Sequence, residues 1–197
     1  MTYRITTGPT SEPITLSFIR NFLKLDDITA DDDLLLALLA SARLWVENLT
    51  GRCLMQQTVT QYLSAFPCGR VLELVRTPAA SVTSLQYKAS PSASYATWAD
   101  TNYTLDEVFE PSRIVLNYGL SWPTITPDLD AVKITYVAGY TSASDVPAPM
   151  KQAMCLLIGY WYDNREDMQV SETNNPAVRS AMWLLDQYKL QTREYLH

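Results

Sequence analysis

Residues 29–51, TADDDLLLALLASARLWVENLTG, determine the fold class more clearly than any other stretch of the chain. Thr29 is a good N-cap, and the carboxylates of residues 31–33 suit the positive end of a helix dipole. Gly51 is expected to end the helix. Between these ends apolar residues recur every three or four positions, which predicts one long amphipathic helix; they are Leu35, Leu38, Leu39, Ala42, Trp45, Val46 and Leu49.

Helical spacing also occurs near both ends of the chain. A short helix is expected at about residues 15–24, and another after the prolines of residues 146–149. Asn175 and Pro176 suit the N-cap and the first turn of a last helix. The residues of the last two helices that are expected to face inward are Met150, Ala153, Met154, Leu157, Ile158, Trp161, Val178, Ala181, Met182 and Leu185. Their aromatic residues are expected in the core or between helices, namely Tyr160, Trp161, Tyr162 and Trp183.

In the middle of the chain apolar residues recur with a different period. Between residues 52 and 140 the apolar spacing shortens from about 3.6 to about 2, which is typical of strands. Short strands separated by turns indicate an antiparallel β unit, either a small sandwich or a barrel. The predicted strands are residues 58–63, 71–75, 82–87, 103–105, 113–116 and 132–137.

These patterns predict an α+β protein with one insertion. Residues 14–51 and 146–186 are expected to form a helical bundle from both chain ends, and residues 52–145 to form the inserted antiparallel β unit. Residues 1–13 are predicted to be an extended N-terminal arm, and residues 187–197 a C-terminal tail. A length of 197 residues is enough to bury a core without a disulfide or a metal.

Composition excludes several classes of protein. With 47% hydrophobic and 11% aromatic residues, the chain is not of the disordered class. The longest apolar run, residues 34–40, is too short to cross a bilayer, and the first residues lack the pattern of a signal peptide. Synthesis in a reducing cytosol and no contact with a membrane are therefore expected. The net charge of -6 argues against a protein that binds nucleic acid tightly, because such proteins usually have a basic surface.

Residue types that carry catalysis or bind metals are scarce. The one histidine, His197, is the last residue, which argues against a histidine-dependent triad. Cys155 lies among apolar residues of its helix and is expected to be buried. Residues 31–33 lack the alternate spacing, the central glycine and the terminal glutamate of a calcium loop, so a helix start explains these acids better. We expect no enzyme activity, no metal and no cofactor.

Several segments, in order along the chain, resemble the head–tail connector (adaptor) proteins of tailed bacteriophages and gene transfer agents. The similarity is carried by ARLWVENLTGR at residues 42–52, by LVRTPAASVTSL at residues 74–85, and by VPAPMKQA at residues 146–153. Shorter matching pieces are residues 29–34, 57–60, 138–140 and 162–166. The family fold, a helical bundle with a β insertion, agrees with the fold class predicted from the periodicity.

The resemblance implies a structural virion protein in the neck between head and tail. Members of that family assemble as a ring of about twelve subunits under the portal, extend the DNA channel, and join the filled head to the stopper or tail. The implied partners are further copies of this chain, the portal protein, and a stopper or tail-completion protein. DNA is expected to pass without specific binding, along a channel wall whose acidic charge repels it.

The resemblance also implies a site. In that family the C-terminal segment often docks on the portal, which assigns this contact to the last helix and the tail. The residues implied are Gln187, Tyr188, Lys189, Arg193, Tyr195 and Leu196. Tyrosine and arginine are common anchors of protein interfaces.

Two alternatives remain open at the level of the sequence. The chain could be a stopper or tail-terminator protein of the same neck, although stoppers are mainly small β-barrels. In a different class, it could be a β module that binds carbohydrate or protein. Glycan binding needs exposed aromatic residues on the β unit, and the candidates for that role are Tyr95, Trp98, Tyr103 and Trp122.

Overall fold

The computed structural model of the protein describes residues 2–25, 29–164 and 175–190. The described part contains four α-helices, α1 (Leu16–Leu23), α2 (Asp32–Thr50), α3 (Ala148–Asp163) and α4 (Pro176–Asp186). It also contains eight strands, β1 (Thr2–Thr7), β2 (Gln57–Leu63), β3 (Val71–Glu73), β4 (Ala79–Tyr87), β5 (Ala96–Trp98), β6 (Tyr103–Asp106), β7 (Arg113–Leu116) and β8 (Val132–Ala138). The predicted α+β class is confirmed.

The chain divides into two compact units. One unit consists of Met1–Thr10 and Gln56–Tyr140, and holds all the strands of the described part. The other consists of Ser11–Met55 and Thr141–His197, and holds the four helices. We call them the β unit and the helical unit.

The β unit contains two antiparallel sheets. Five strands form one sheet in the order β1-β2-β8-β4-β5, and three form the other in the order β3-β7-β6. The central strand β8 alternates buried and half-buried residues along its length, as a strand against a core does. All six predicted strands are present, but the barrel alternative is wrong. In the described residues of this unit both sheets end in edge strands, so neither closes on itself.

Gln61 on β2 ties the small sheet to the large one. Its side-chain amide donates to the carbonyl oxygen of Glu73 at 3.1 Å, and its Oε1 accepts the N–H of Val75 at 3.1 Å. Gln61 is fully buried. Because a buried amide needs hydrogen-bond partners, these two backbone groups at the end of β3 satisfy both ends of its side chain.

Two strands were not predicted from the sequence. β1 lies within the predicted N-terminal arm and pairs antiparallel with β2, from Thr2 opposite Tyr62 to Thr7 opposite Thr58. The guanidinium of Arg76 holds this strand by a hydrogen bond to the Tyr3 hydroxyl and lies 4.9 Å from the centroid of the Tyr3 ring. β5 has only three residues, too few for alternation to be recognised.

The start of α2 differs from the sequence prediction. The N-cap is Asp31 rather than Thr29, and the helix begins at Asp32. Tertiary partners account for this start. The hydroxyl of Tyr162 donates to Asp31 Oδ2 at 2.6 Å, and Arg20 pairs with the carboxylate of Asp32. The hydrogen bond from Arg20 lowers the pKa of Asp32, so this carboxylate stays charged beside the helix N-terminus.

The helices of the helical unit contact one another along buried faces. α3 packs against both α2 and α4, and α1 contacts α2 and α3. The apolar residues buried along α2 and α3 are Leu35, Leu39, Ala42, Val46, Met150, Ala153, Met154, Cys155, Leu157 and Ile158. This core holds α4 in place, and α4 carries the described part of the predicted docking segment.

Candidate docking surface

Helix α4 begins with a cap that the sequence specifies locally. The Oδ1 atom of Asn175 accepts the N–H of Ala177 at 2.8 Å, and Pro176 occupies the first helical turn. Proline has no N–H to leave unpaired at this position, and its fixed φ suits a helix start. Val178, Ala181 and Leu185 form the buried face of the helix.

The opposite face of α4 exposes a large aromatic side chain. Trp183 is 81% exposed, which corrects the sequence prediction that placed it in the core or between helices. A helix advances about 100° per residue, so Trp183 points roughly opposite to Ala181 and Leu185. An exposed tryptophan is a strong potential anchor for a protein partner, because its large ring loses much apolar area to a matching surface.

The segment after α4 is fastened to the C-terminal end of α2. Arg52 donates from Nε to the carbonyl oxygen of Tyr188 at 2.8 Å, and the N–H of Leu190 donates to the carbonyl oxygen of Thr50 at 3.0 Å. Arg52 is only 5% exposed, and the first of these bonds is partly buried. The chain beyond Leu190 therefore starts from a defined point on the helical unit.

Gly51 fits the close approach of this segment. It ends α2 in the left-handed region at φ 76°, and its N–H donates to the carbonyl oxygen of Glu47 at 2.9 Å. A Cβ placed on Gly51 would lie 3.0 Å from Cδ1 of Leu190. Glycine satisfies both the backbone conformation and the packing at this position.

Buried charged side chains form hydrogen bonds that join the end of α2 to the chain that follows it. Glu47, 2% exposed, accepts the N–H of Leu54 at 2.8 Å and a hydrogen bond from Arg43 Nη1 at 3.2 Å. Arg43 also donates from Nε to Glu12 at 2.8 Å. These contacts explain why charged residues occur within the apolar periodicity of residues 42–52, since each buried charge has a partner.

A family model matches most of the chain. Residues 12–176 match the family model described as head completion protein. The chain belongs to the head completion protein family. This membership confirms the predicted resemblance and the predicted role, that of a structural head–tail connector. Among curated proteins no sequence matches the chain.

Three solved structures that are similar to the chain come from gene transfer agent (GTA) particles. A chain from the neck of an empty GTA particle computed with C6 symmetry is 25% identical, with 97% of this chain and 96% of that chain covered, at a TM-score of 0.79. A chain from the virion of a native GTA particle is 24% identical, with the same coverage, at a TM-score of 0.77. A chain from the neck of a native GTA particle computed with C12 symmetry is 24% identical, again with 97% and 96% covered, at a TM-score of 0.76.

Three of the six predicted portal contacts fall within the described part of the chain. Gln187 and Lys189 are exposed, whereas Tyr188 is half-buried and bound through its carbonyl oxygen to Arg52. The ammonium of Lys189 lies 3.0 Å from the carboxylate of Asp186, an exposed ion pair that contributes little to stability. The other three predicted contacts lie outside the described residues, namely Arg193, Tyr195 and Leu196.

The aromatic candidates for glycan binding do not form one exposed surface. Trp98 and Trp122 pack edge to face at 5.5 Å, and Trp122 also stacks on Phe66 at 4.8 Å, so these rings mainly cover one another. Tyr103 is 9% exposed, and its burial raises the pKa of its hydroxyl. Tyr95 donates its hydroxyl to the carboxylate of Asp130 at 3.0 Å, and burial raises its pKa as well.

Residues considered for chemistry are placed as follows. Cys155 is 1% exposed, and desolvation raises the pKa of its thiol to about 11, so the thiol is neutral at pH 7. Residues 2–25, 29–164 and 175–190 contain no group of three or more acidic, histidine or cysteine side chains that could hold a metal ion. His197 lies outside the described residues. No helix in the described part of the chain has the length and apolar character needed to span a membrane.

Proposed function

We propose that this protein forms a ring in the neck of a virion, beneath the portal and above a stopper or tail-completion protein. The observation that carries the proposal is the likeness over 97% of the chain to a protein from a GTA neck computed with C12 symmetry. We propose twelve copies around the axis, a number that fits both this C12 symmetry and the C6 symmetry of the similar neck of an empty GTA particle. A closed ring needs head-to-tail contacts, in which one surface of each copy meets a different surface of the next.

In this ring the helical unit is a bundle built from both chain ends, and α4 with the C-terminal tail docks on the portal. Three features support the assignment. Trp183 is exposed on α4, Tyr188 and Leu190 are fastened to α2, and the residues beyond include arginine, tyrosine and leucine. A fastened start lowers the conformational entropy that the tail loses when it binds. Gln187, Tyr188, Lys189, Arg193, Tyr195 and Leu196 are the proposed contacts, with Trp183 added to them.

DNA passes through the ring without specific binding. With 21 acidic and 15 basic residues the chain repels a polyanion, and a repelling channel wall keeps the genome from adhering during ejection. The role is structural, with neither catalysis nor a cofactor. The site of action is the virion neck, after synthesis in the host.

Mass photometry of the purified chain, alone and mixed with the portal encoded beside its gene, tests the proposal. A discrete portal-plus-ring species supports it and supplies the stoichiometry from the mass difference. A portal that stays bare, while the chain binds only tail-side proteins, would place the protein lower in the neck. That outcome would overturn the docking assignment and favour a stopper or tail-terminator role.

Truncation tests the docking residues separately. A chain that ends at Asp186 lacks all six predicted contacts, whereas a chain that ends at Leu190 keeps the segment fastened by Arg52. We expect full-length protein to dock, the shorter truncation to lose docking, and the longer one to dock with reduced affinity. Full affinity of the chain that ends at Asp186 would contradict the assignment.

A further inference from the structure

The loop between β6 and β7 presents an apolar tip in the β unit. Val108 is 94% exposed and Phe109 is 37% exposed, and both follow an exposed acid, Glu107. We call Val108 and Phe109 the knob. Val108 loses almost no water-exposed area within the unit, and Phe109 keeps part of its area exposed, so another surface could bury both side chains.

The knob is held in a fixed conformation by its neighbours. The guanidinium of Arg113 lies 3.7 Å from the ring centroid of Phe109, and its Nε donates to Asp106 Oδ2 at 2.8 Å. Asp106 Oδ1 accepts the N–H of Phe109 at 3.3 Å. The hydrogen bond from Arg113 lowers the pKa of Asp106, which keeps the ion pair charged. A loop braced in this way loses little conformational entropy on binding.

The helical unit contains a groove of a size that suits the knob. Its volume is about 420 Å³, within the range of roughly 300–1,000 Å³ that is common for binding pockets. Its walls are mainly apolar, and they include Pro13, Ile14, Phe18, Ala148 and Cys155. Phe18 is 54% exposed, so a partner that enters the groove would cover part of it.

The groove has a positively charged side chain, Lys151, in its wall. Its ammonium donates to the carbonyl oxygen of Ala143 at 3.1 Å. A backbone carbonyl satisfies one of the three donors of an ammonium and leaves its charge available to a carboxylate. Glu107, the acid next to the knob, has the complementary charge.

We infer that the knob of one copy occupies the groove of the next copy in the ring, with Glu107 facing Lys151. The inference rests on the proposed ring, because it supplies the head-to-tail contact that a ring requires. The two surfaces are different and lie in different units of the chain, so each copy offers one knob and one groove. Such a contact repeats around an axis until the ring closes.

Charge reversal gives the first test, again by mass photometry with the portal. We expect Glu107→Lys and Lys151→Glu each to lower the fraction of rings roughly tenfold, because like charges would then meet across the contact. A chain that carries both reversals should recover the rings, because opposite charges would again meet across the contact. Val108→Asp should abolish them, whereas Leu129→Asp, at a residue that is 91% exposed in the same unit, should not.

The outcomes separate this contact from the ring itself. If the unaltered chain forms no ring with the portal, the proposed function fails and this contact fails with it. If unaltered chain forms rings and Val108→Asp does so equally well, the ring stands and the knob contact is overturned. If Lys151→Glu alone weakens the ring and Glu107→Lys does not, the groove has another occupant and the pairing is overturned.

A disulfide test identifies the two partners directly. A background of Cys68→Ser and Cys155→Ala removes the exposed native thiol and the thiol in the groove wall, and leaves only the buried Cys53. In this background Val108→Cys places a thiol at the knob of one chain, and Gln152→Cys places a thiol at the groove of another. Mixing these two chains with portal should give cross-linked dimers under oxidation, and a chain that carries both introduced cysteines should give a ladder of higher oligomers. Each chain with one introduced cysteine, alone with portal, is the control. Absence of dimers from an assembled ring would contradict the contact.

Discussion

Arg52 Nε lies 2.8 Å from the carbonyl oxygen of Tyr188, so a buried guanidinium at the end of α2 holds the segment that leaves α4. The two residues are far apart in the sequence, so this bond joins the C-terminal segment to the chain that follows α2. A hydrogen bond from a charged donor is worth about 1.5–3 kcal/mol, more than one between neutral groups. The proposed docking tail therefore emerges from a fixed position.

Replacement of Arg52 tests this role. Arg52→Met keeps an unbranched apolar stem but leaves the carbonyl oxygen of Tyr188 without its donor, and we expect the free energy of unfolding to fall by about 1–3 kcal/mol. Urea denaturation measures it. The control is Arg179→Met, an exposed arginine on α4 that should change the free energy of unfolding by less than about 0.5 kcal/mol. Equal losses in both variants would contradict a special role for Arg52.

Gly51 provides a second test of the same junction. Gly51→Ala forces a Cβ into a positive-φ conformation and toward Leu190 Cδ1 at 3.0 Å, so we expect a loss of about 1–3 kcal/mol in the free energy of unfolding. The double variant with Leu190→Ala relieves the contact but not the backbone strain, and a double-mutant cycle separates the two terms. Gly8→Ala is the control, because no atom lies within 4 Å of its added Cβ.

Glu47 gives a prediction about buried charge. Glu47→Gln keeps the shape of the side chain but removes the charge that pairs with Arg43, and we expect a loss of about 1.5–3 kcal/mol in the free energy of unfolding. Glu12→Gln removes the other acid that contacts Arg43, but Glu12 is 28% exposed and should cost less than about 1 kcal/mol. A larger loss for Glu12→Gln than for Glu47→Gln would show that burial does not decide the contribution.

Periodicity alone predicted most of the elements, and their boundaries shifted where distant partners intervene. The helices and six of the strands follow from the spacing of apolar residues within each segment. β1 does not, because it is a strand only through pairing with β2, more than fifty residues away. The N-cap of α2 likewise depends on Tyr162 and Arg20, which no local pattern brings to residues 31 and 32.

The candidate surface was predicted in part. The resemblance indicated the C-terminal segment, but no spacing in the sequence pairs Arg52 with Tyr188, since that contact depends on the fold of the helical unit. Trp183 could have been recognised as exposed. It lies two residues from both Ala181 and Leu185, and that separation puts it on the opposite side of the helix. Aromatic character alone favoured the core, and helical phase was the better indicator.

Trp183 yields the prediction that bears most directly on docking. Because its side chain is 81% exposed, Trp183→Ser should change the free energy of unfolding by less than about 0.5 kcal/mol. The affinity of the Trp183→Ser variant for the portal should fall about tenfold or more, as is usual when an aromatic anchor at the centre of an interface is removed. Binding of the soluble chain to immobilised portal, in parallel with urea denaturation, separates the two effects.

Tyr118→Ser is the matched control for Trp183→Ser. Tyr118 is 94% exposed but belongs to the β unit, outside the proposed docking surface, so its removal should leave the affinity for the portal unchanged. If both variants bind as tightly as the unaltered chain, the exposed face of α4 is not part of the contact, and docking must depend on the tail alone. If Tyr118→Ser weakens binding and Trp183→Ser does not, the portal contacts the β unit, and the assignment to the C-terminal segment is wrong.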